Sequence, residues 1–471
     1  MSNRLNNLLT HIATKESDGE EMHHIKQRLA LATLATQFNM GMDRLKMMTM
    51  YMIHEMIEGL EGRPSTIRML PSFVYKSDAS NAAGVFYALD LGGTNFRVLR
   101  VCVEGGKVVQ RVDSKYVIPT SALTGTADDL FGFIAKSVKT MMSEKAPEDL
   151  QKALPMGFTF SFPCELKSID SGVLIKWTKG FSTEGVVGKD VAQLLRGAFR
   201  KLGVQMNVVA VCNDTVGTLI ARYFSDENAQ VGVIVGTGSN ACYFERSAAV
   251  TKDPAVAAHG DRMTAINMEC GNFDSKYRYV LPITKYDELV DERSLNPDNQ
   301  LQEKIVSGMY LGEIARYMIV QLSEIGCLSP SLASAMSKPM SFETKYMGMI
   351  TGDQGPGLQF TRRLIKKVTG VDLTDLSDLR TIREVCRLVR NRSAQQAAML
   401  TSAPLLKTHM QGLATVAVDG SVYEKMPSFQ RLYQDNVNAI LGKESKATLV
   451  LQKDGSGLGA TMIAALTVSM K

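Results

Sequence analysis

Two short glycine turns and one aspartate offer this chain its most specific chemistry. Gly92-Gly93-Thr94-Asn95 joins the apolar run 85–91 to the strand-like run 96–103, and Gly236-Thr237-Gly238-Ser239-Asn240 joins 231–235 to 241–244. Glycines in tight turns reach positive φ and let backbone N–H groups come close to an anion. Thr94 and Thr237 add hydroxyl donors. One such turn alone reads as a plain hairpin. Two, after two equivalent strands, read as a phosphate site shared by two similar domains. Asn213-Asp214-Thr215 follows the apolar run 208–212, at the strand end where α/β proteins place their sites. The same residues would also serve as a helix N-cap. Ser161 emerges in the same way from 156–160. Lys179, in Trp177-Thr178-Lys179-Gly180-Phe181, suits a transferring phosphoryl group and equally a surface turn.

The elements that must position these residues form an α/β pattern. Residues from about 20 to 60 read as helix, with a methionine-rich stretch (40–56) of flexible core filling. Gly62-Arg63-Pro64-Ser65 and Leu70-Pro71-Ser72 read as a connector. Strand-like and helical runs then alternate from Val85, and a second set of strands begins at Val231. Long helices are expected over 301–322 and 378–400, then a last strand at 448–451, a glycine loop and a C-terminal helix.

Composition narrows the function classes. The chain has 471 residues, 45% hydrophobic and 21% charged, with a formal net charge of +5. That length is roughly three times the usual ~150 residues per domain, so more than one core is expected. The charge excess is mild and no run of Lys and Arg marks a nucleic-acid face. Seven cysteines without a C-x-x-C pair predict buried free thiols in a reducing compartment. No apolar stretch reaches the ~18 residues of a membrane span. Together these predict a soluble intracellular protein. His54-Glu55 is followed by Glu58, which gives zinc hydrolysis no support. Gly188-Lys189-Asp190 fails the P-loop pattern. Gly455-Ser456-Gly457-Leu458-Gly459 lacks the strand and acidic residue that a dinucleotide fold places ~20 positions on, so a strand-to-helix cap beside a nucleotide is expected. At the N-terminus, Arg4-Leu5, five residues and His11-Ile12 match a type-2 peroxisomal targeting nonapeptide except at Ile12. Leu5, Leu8, Leu9 and Ile12 also suit an amphipathic helix.

Nine motifs in order resemble the hexokinases. They are Leu70-Pro71-Ser72-Phe73, Asp90-Leu91-Gly92-Gly93-Thr94-Asn95-Phe96-Arg97, Gly157-Phe158-Thr159-Phe160-Ser161-Phe162-Pro163, Trp177-Thr178-Lys179-Gly180-Phe181, Asn213-Asp214-Thr215-Val216-Gly217-Thr218, Gly236-Thr237-Gly238-Ser239-Asn240-Ala241, Ser307-Gly308-Met309-Tyr310-Leu311-Gly312-Glu313, Val418-Asp419-Gly420-Ser421 and Asp454-Gly455-Ser456-Gly457. With the N-terminal nonapeptide, the chain looks most like a glycosomal hexokinase of a kinetoplastid protist. The resemblance implies a two-domain actin-like ATPase, or ribonuclease H-like, α/β fold with a cleft between a small and a large domain. It implies a targeting segment over 1–20, a small-domain region over 21–222 and a large-domain region over 223–467. It also implies phosphorylation of glucose and related hexoses at the 6-hydroxyl, with ATP as co-substrate and Mg2+.

Residue by residue, the resemblance implies that Asp214 is the catalytic base and that Lys179 assists it. Ser161, Thr178, Lys179, Asn213, Asp214, Asn240, Glu269 and Glu303 match sugar-binding positions. Asp90, Gly92, Gly93, Thr94, Asn95, Gly236 and Thr237 match the phosphate turns. Gly308, Thr344, Gly420, Ser421, Gly455 and Ser456 match the adenosine side. Mg2+ keeps several waters and binds largely through substrate phosphates, so Asp90 is expected to meet it through water. A peroxisomal import receptor is the partner implied by Arg4, Leu5, His11 and Ile12, with location in the glycosome and a cytoplasmic pool; a homo-oligomer stays open. Cys270 stands where the family usually has tryptophan, which bears on sugar selectivity. Two other classes compete: a sugar sensor that binds without catalysis, which would need a lost base or broken turn, and an actin-like or chaperone ATPase, which would need neither Thr178-Lys179 nor Glu303.

Overall fold

The computed structural model describes residues 19–78, 81–93, 95–177, 181–409, 412–443 and 445–469. Its strands are β1 (Leu70–Tyr75), β2 (Gly84–Leu91), β3 (Asn95–Glu104), β4 (Lys107–Val117), β5 (Leu154–Phe160), β6 (Cys164–Ser168), β7 (Ser171–Leu174), β8 (Met206–Cys212), β9 (Ala229–Val235), β10 (Ser239–Arg246), β11 (Met263–Asn267), β12 (Gly412–Asp419) and β13 (Ser445–Leu451). They form a five-stranded sheet, β4-β3-β2-β5-β8, a six-stranded sheet, β1-β11-β10-β9-β12-β13, and the small pair β6-β7.

The repeated glycine turns mark a repeated topology. In each large sheet an antiparallel meander, β2-β3-β4 or β9-β10-β11, is extended by two strands parallel to its first. The near-continuous apolar sequences of β2, β5, β8 and β9 follow from burial on both faces, as parallel strands covered by helices require.

Two helices cross between the sheets. Asp214–Tyr223 leaves β8 yet packs on β9, while Gly455–Ser469 leaves β13 yet packs on β5 and β2; the two also pack on each other. Their approach is close: a Cβ on Gly459 would stand 1.9 Å from the Gly217 carbonyl oxygen, so glycine is required there. Val216, Leu219, Ile220, Ala460, Ile463 and Ala464 form a middle core with the inner faces of both sheets. Separate cores lie on the outer faces. The described residues start in the lobe of the six-stranded sheet, where helices Gly19–Phe38 and Met42–Leu60 pack on the 32-residue helix Leu376–Lys407. It crosses to the other lobe for β2–β8 and then returns.

Three expected elements differ. Leu70-Pro71-Ser72 is no connector: it opens β1, an edge strand on β11 with Leu70 opposite Asn267. Pro71 is tolerated because the position is at an edge. The single helix expected over 301–322 is two, Leu301–Val306 and Leu311–Glu324, because the Gly308 N–H leaves the helical ladder to donate to the Gly236 oxygen at 2.7 Å. The glycine loop after β13 is already helix from Gly455. All seven cysteines are free thiols, five of them buried. Among the described residues no helix is long and apolar enough to cross a membrane.

Candidate active site

Asn213 caps the helix that Asp214 begins. Its Oδ1 accepts from the Thr215 N–H at 2.9 Å and the Thr215 hydroxyl at 2.7 Å. The cap reading and the site reading are therefore both satisfied: capping fixes the carbonyl of Asn213 and holds Asp214 at the helix start. On one side of this point lies a chain of amides. Asn240 Nδ2 donates to Asn267 Oδ1 at 2.8 Å, and Asn267 Nδ2 donates to Glu269 Oε1 at 2.9 Å. Asn240 Oδ1 accepts from the N–H groups of Ala241 and Cys270, which sets the orientation of its amide. Glu269 has left-handed backbone, φ 48° and ψ 49°, which costs a non-glycine residue on the order of 1 kcal/mol. Glu303 Oε2 accepts from the Ser239 N–H at 3.0 Å, so that carboxylate sits under the second glycine turn. Ser161 is buried beside the first turn, 3.5 Å from where a Gly92 Cβ would be.

The phosphate side is built around Asp90. Its Oδ2 accepts from the Ser456 hydroxyl at 2.7 Å and pairs with Arg97 Nη2 at 3.2 Å. Arg97 also pairs with Asp454, which Arg111 holds at 2.9 Å. Burial pushes the Asp90 carboxyl above its ordinary value and the Asp214 charge adds to this, while Ser456 and Arg97 oppose it. Burial likewise raises Asp419, which accepts from the N–H groups of Gly420 and Gly455 and so ties two strand-end loops together. Gly420, at φ 117°, lies against the Val235 carbonyl, where a Cβ would come within 2.4 Å. Beyond the second turn opens a cavity of ≈ 930 Å3, lined by Thr237, Gly308, Thr344 and Ser421 together with Met309, Met426 and Phe342.

The expected residues thus fall into three neighbouring groups. Asn213, Asp214, Asn240 and Glu269 converge with Glu303 on one side. Asp90, Gly92, Gly93, Asn95, Gly455 and Ser456 gather at the first turn. Thr237, Gly308, Thr344 and Ser421 border the cavity, with Gly236 and Gly420 packed against each other beside them. Thr94, Thr178 and Lys179 lie outside the described residues. Asn267 escaped the sequence reading and Asp419 entered it only within the motif 418–421, without a role, although each ends an apolar strand as Ser161 follows one. Of the cavity wall, Met426 carries no sequence signal, and Met309 only its place in the motif 307–313. Cys270 is fully buried, its thiol 3.6 Å from Asn240 Oδ1 and pushed up to about 12 by burial, so it is an inert filler behind Glu269.

Paired sheets of one topology, with glycine turns facing a common cleft, define the two-domain actin-like ATPase class of fold. Known proteins narrow the class. Two family models, both described as hexokinase, match residues 30–224 and 230–466. Hexokinase-2 of Oryza sativa subsp. japonica is 39% identical over 439 residues, covering 90% of this chain and 88% of its own. The hexokinase of Kluyveromyces lactis is 36% identical, covering 92% and 91%. The solved structure of a Schistosoma mansoni hexokinase complexed with glucose is 34% identical, with a TM-score of 0.85 over 93% of this chain and 99% of that one. The chain belongs to the hexokinase family and is a kinase.

Asn267 fixes Asn240 and Glu269 together. Asn267→Ala should raise KM for glucose by roughly tenfold or more, the loss of about 1.5–3 kcal/mol for a hydrogen bond to a charged group, and leave KM for ATP within twofold of wild type (about 0.4 kcal/mol). Steady-state kinetics in both substrates checks this; an unchanged KM for glucose would remove Asn267 from the site.

Proposed function

We propose that the chain transfers the γ-phosphoryl group of ATP to the 6-hydroxyl of D-glucose and related hexoses. The observation that carries this is the position of Asp214. It stands between a set of amides and carboxylates suited to sugar hydroxyls and the two glycine turns suited to phosphates. Asp214 accepts the 6-hydroxyl proton as that oxygen bonds to the γ-phosphorus; the bond to the β–γ bridging oxygen breaks and ADP leaves. Ser161, Thr178, Asn213, Asn240, Glu269 and Glu303 hold the other hydroxyls, with charged hydrogen bonds each worth about 1.5–3 kcal/mol. Lys179 offsets charge on the transferring group. Backbone N–H groups of Gly92, Gly93, Thr94, Asn95 and Thr237 take the phosphate oxygens, and Gly236 shapes the second turn, its own N–H donating to the Gly238 oxygen at 3.0 Å. Gly308, Thr344, Gly420, Ser421, Gly455 and Ser456 border the adenosine.

The Asp90 and Asp419 carboxyls, both raised by burial and each close enough to Asp214 to feel its charge, fit a nearby divalent cation. Mg2+ bound there through water and the ATP phosphates would neutralise charge on the transferring group. Closure of the lobes excludes water as a rival acceptor. Replacing Asp214 with Ala should lower kcat roughly 10²–10⁴-fold in a coupled assay while folding is retained. Near-wild-type turnover would contradict the assignment of the base.

We further propose that this is a glycosomal enzyme of kinetoplastid type, supported by Arg4-Leu5 and His11-Ile12. Those residues, and any receptor contact they make, lie outside the described residues. The full chain with a C-terminal fluorescent tag should enter peroxisome-like organelles of a kinetoplastid cell. Replacing Arg4 and His11 with Ala should leave it diffuse; unchanged organellar signal would sink the reading.

A further inference from the structure

Away from the cleft, the first described helix meets the long helix through an unusual set of charges. His23 Nε2 lies 3.0 Å from Asp378 Oδ1 and 3.9 Å from Asp375 Oδ2. The three donor atoms all lie within 4.8 Å of one another. Asp378 is only 5% exposed, and its second oxygen accepts from the Ser329 N–H at 3.2 Å. Asp375 caps the helix Leu376–Lys407, using Oδ1 for the Ser377 N–H and leaving Oδ2 toward His23.

The two carboxylates have no permanently charged partner at this point among the described residues. Among the described residues no Lys or Arg nitrogen lies within 4 Å of either carboxylate; histidine is the sole partner of that kind. A helix N-terminus supplies only roughly half a positive charge. Two carboxylates, one of them buried, therefore face each other and an imidazole with no Lys or Arg side chain beside them among the described residues.

The neighbouring amide is oversubscribed as well. Gln27 Nε2 lies 2.7 Å from Asp378 Oδ1, 3.0 Å from the Cys327 oxygen and 2.9 Å from His23 Nε2, three contacts for two hydrogens.

We propose that His23, Asp375 and Asp378 bind one Zn2+ ion, which clamps the helix Gly19–Phe38 to the helix Leu376–Lys407. One imidazole and two carboxylates, completed by water, match the ligand types of four-coordinate zinc. The imidazole selects against Mg2+ and Ca2+, which take oxygen ligands. None of the three residues lines the cleft, so the ion acts on the docking of the N-terminal helix and takes no part in phosphoryl transfer.

The test is a zinc titration of the full-length protein, stripped with chelator and followed by calorimetry and thermal melting. His23→Gln keeps a hydrogen-bonding group on this side of Asp378, and Asp375→Asn alters a half-exposed side chain. Wild type should bind one equivalent of Zn2+ saturably, with a melting temperature that rises with zinc. Both variants should melt like wild type in chelator and bind zinc more weakly by at least the roughly 10–100-fold typical for a residue that merely orients a ligand. Absence of saturable binding in wild type, or equal affinity in wild type and either variant, would overturn the proposal and leave the cluster as a histidine–carboxylate pair.

Discussion

The close crossing of helices Asp214–Tyr223 and Gly455–Ser469 is the constraint on which the rest of the structure depends. Gly217 and Gly459 bring the two backbones together, and a side chain at either would meet main-chain atoms of the other helix. Because each helix leaves one lobe and packs on the other, this contact joins the lobes through the middle core. It also brings both helix N-termini to the cleft. One carries Asp214 and the other Ser456, whose hydroxyl reaches Asp90. Helix starts present unpaired N–H groups and partial positive charge, so the arrangement favours a phosphate-bearing ligand before any side chain is counted.

The echoed sheets explain why two turns of similar sequence face one ligand. Each turn follows the first strand of a meander, and the shared strand order aims both at the cleft. The second turn is the more heavily braced. Gly308 and Met309 donate to its carbonyls, and those bonds interrupt the helix that begins at Leu301. Glu303 is thereby left beneath the turn, within reach of the Ser239 N–H. In the proposed reading, sugar and phosphate sites are coupled through one short helix and one turn.

What could be read from sequence followed how local the determinants are. The strands around both turns, the helix after Asp214 and the long C-terminal helices are written in local apolar patterns. β1 was misread because its sequence carries a proline and its burial comes from pairing with β11, almost two hundred residues away. Glu269 and Glu303 carry no local signal: one sits in a left-handed turn and the other looks like a solvated charge on a short helix. Family resemblance supplied both. Asn267 was missed by pattern and resemblance alike, although a polar residue ending an apolar strand is the rule that found Ser161 and Asp214. Applied to every strand, it would also have found Asp419.

The account stands or falls on whether phosphate leaves ATP only when a sugar is present to receive it. ADP and sugar phosphate should be followed together, with glucose and then without it. The account predicts one-to-one formation of the two products with glucose and little ADP in its absence. ATP hydrolysis that proceeds equally well without sugar would contradict it and make the fold that of an ATPase whose sugar-like site has another purpose.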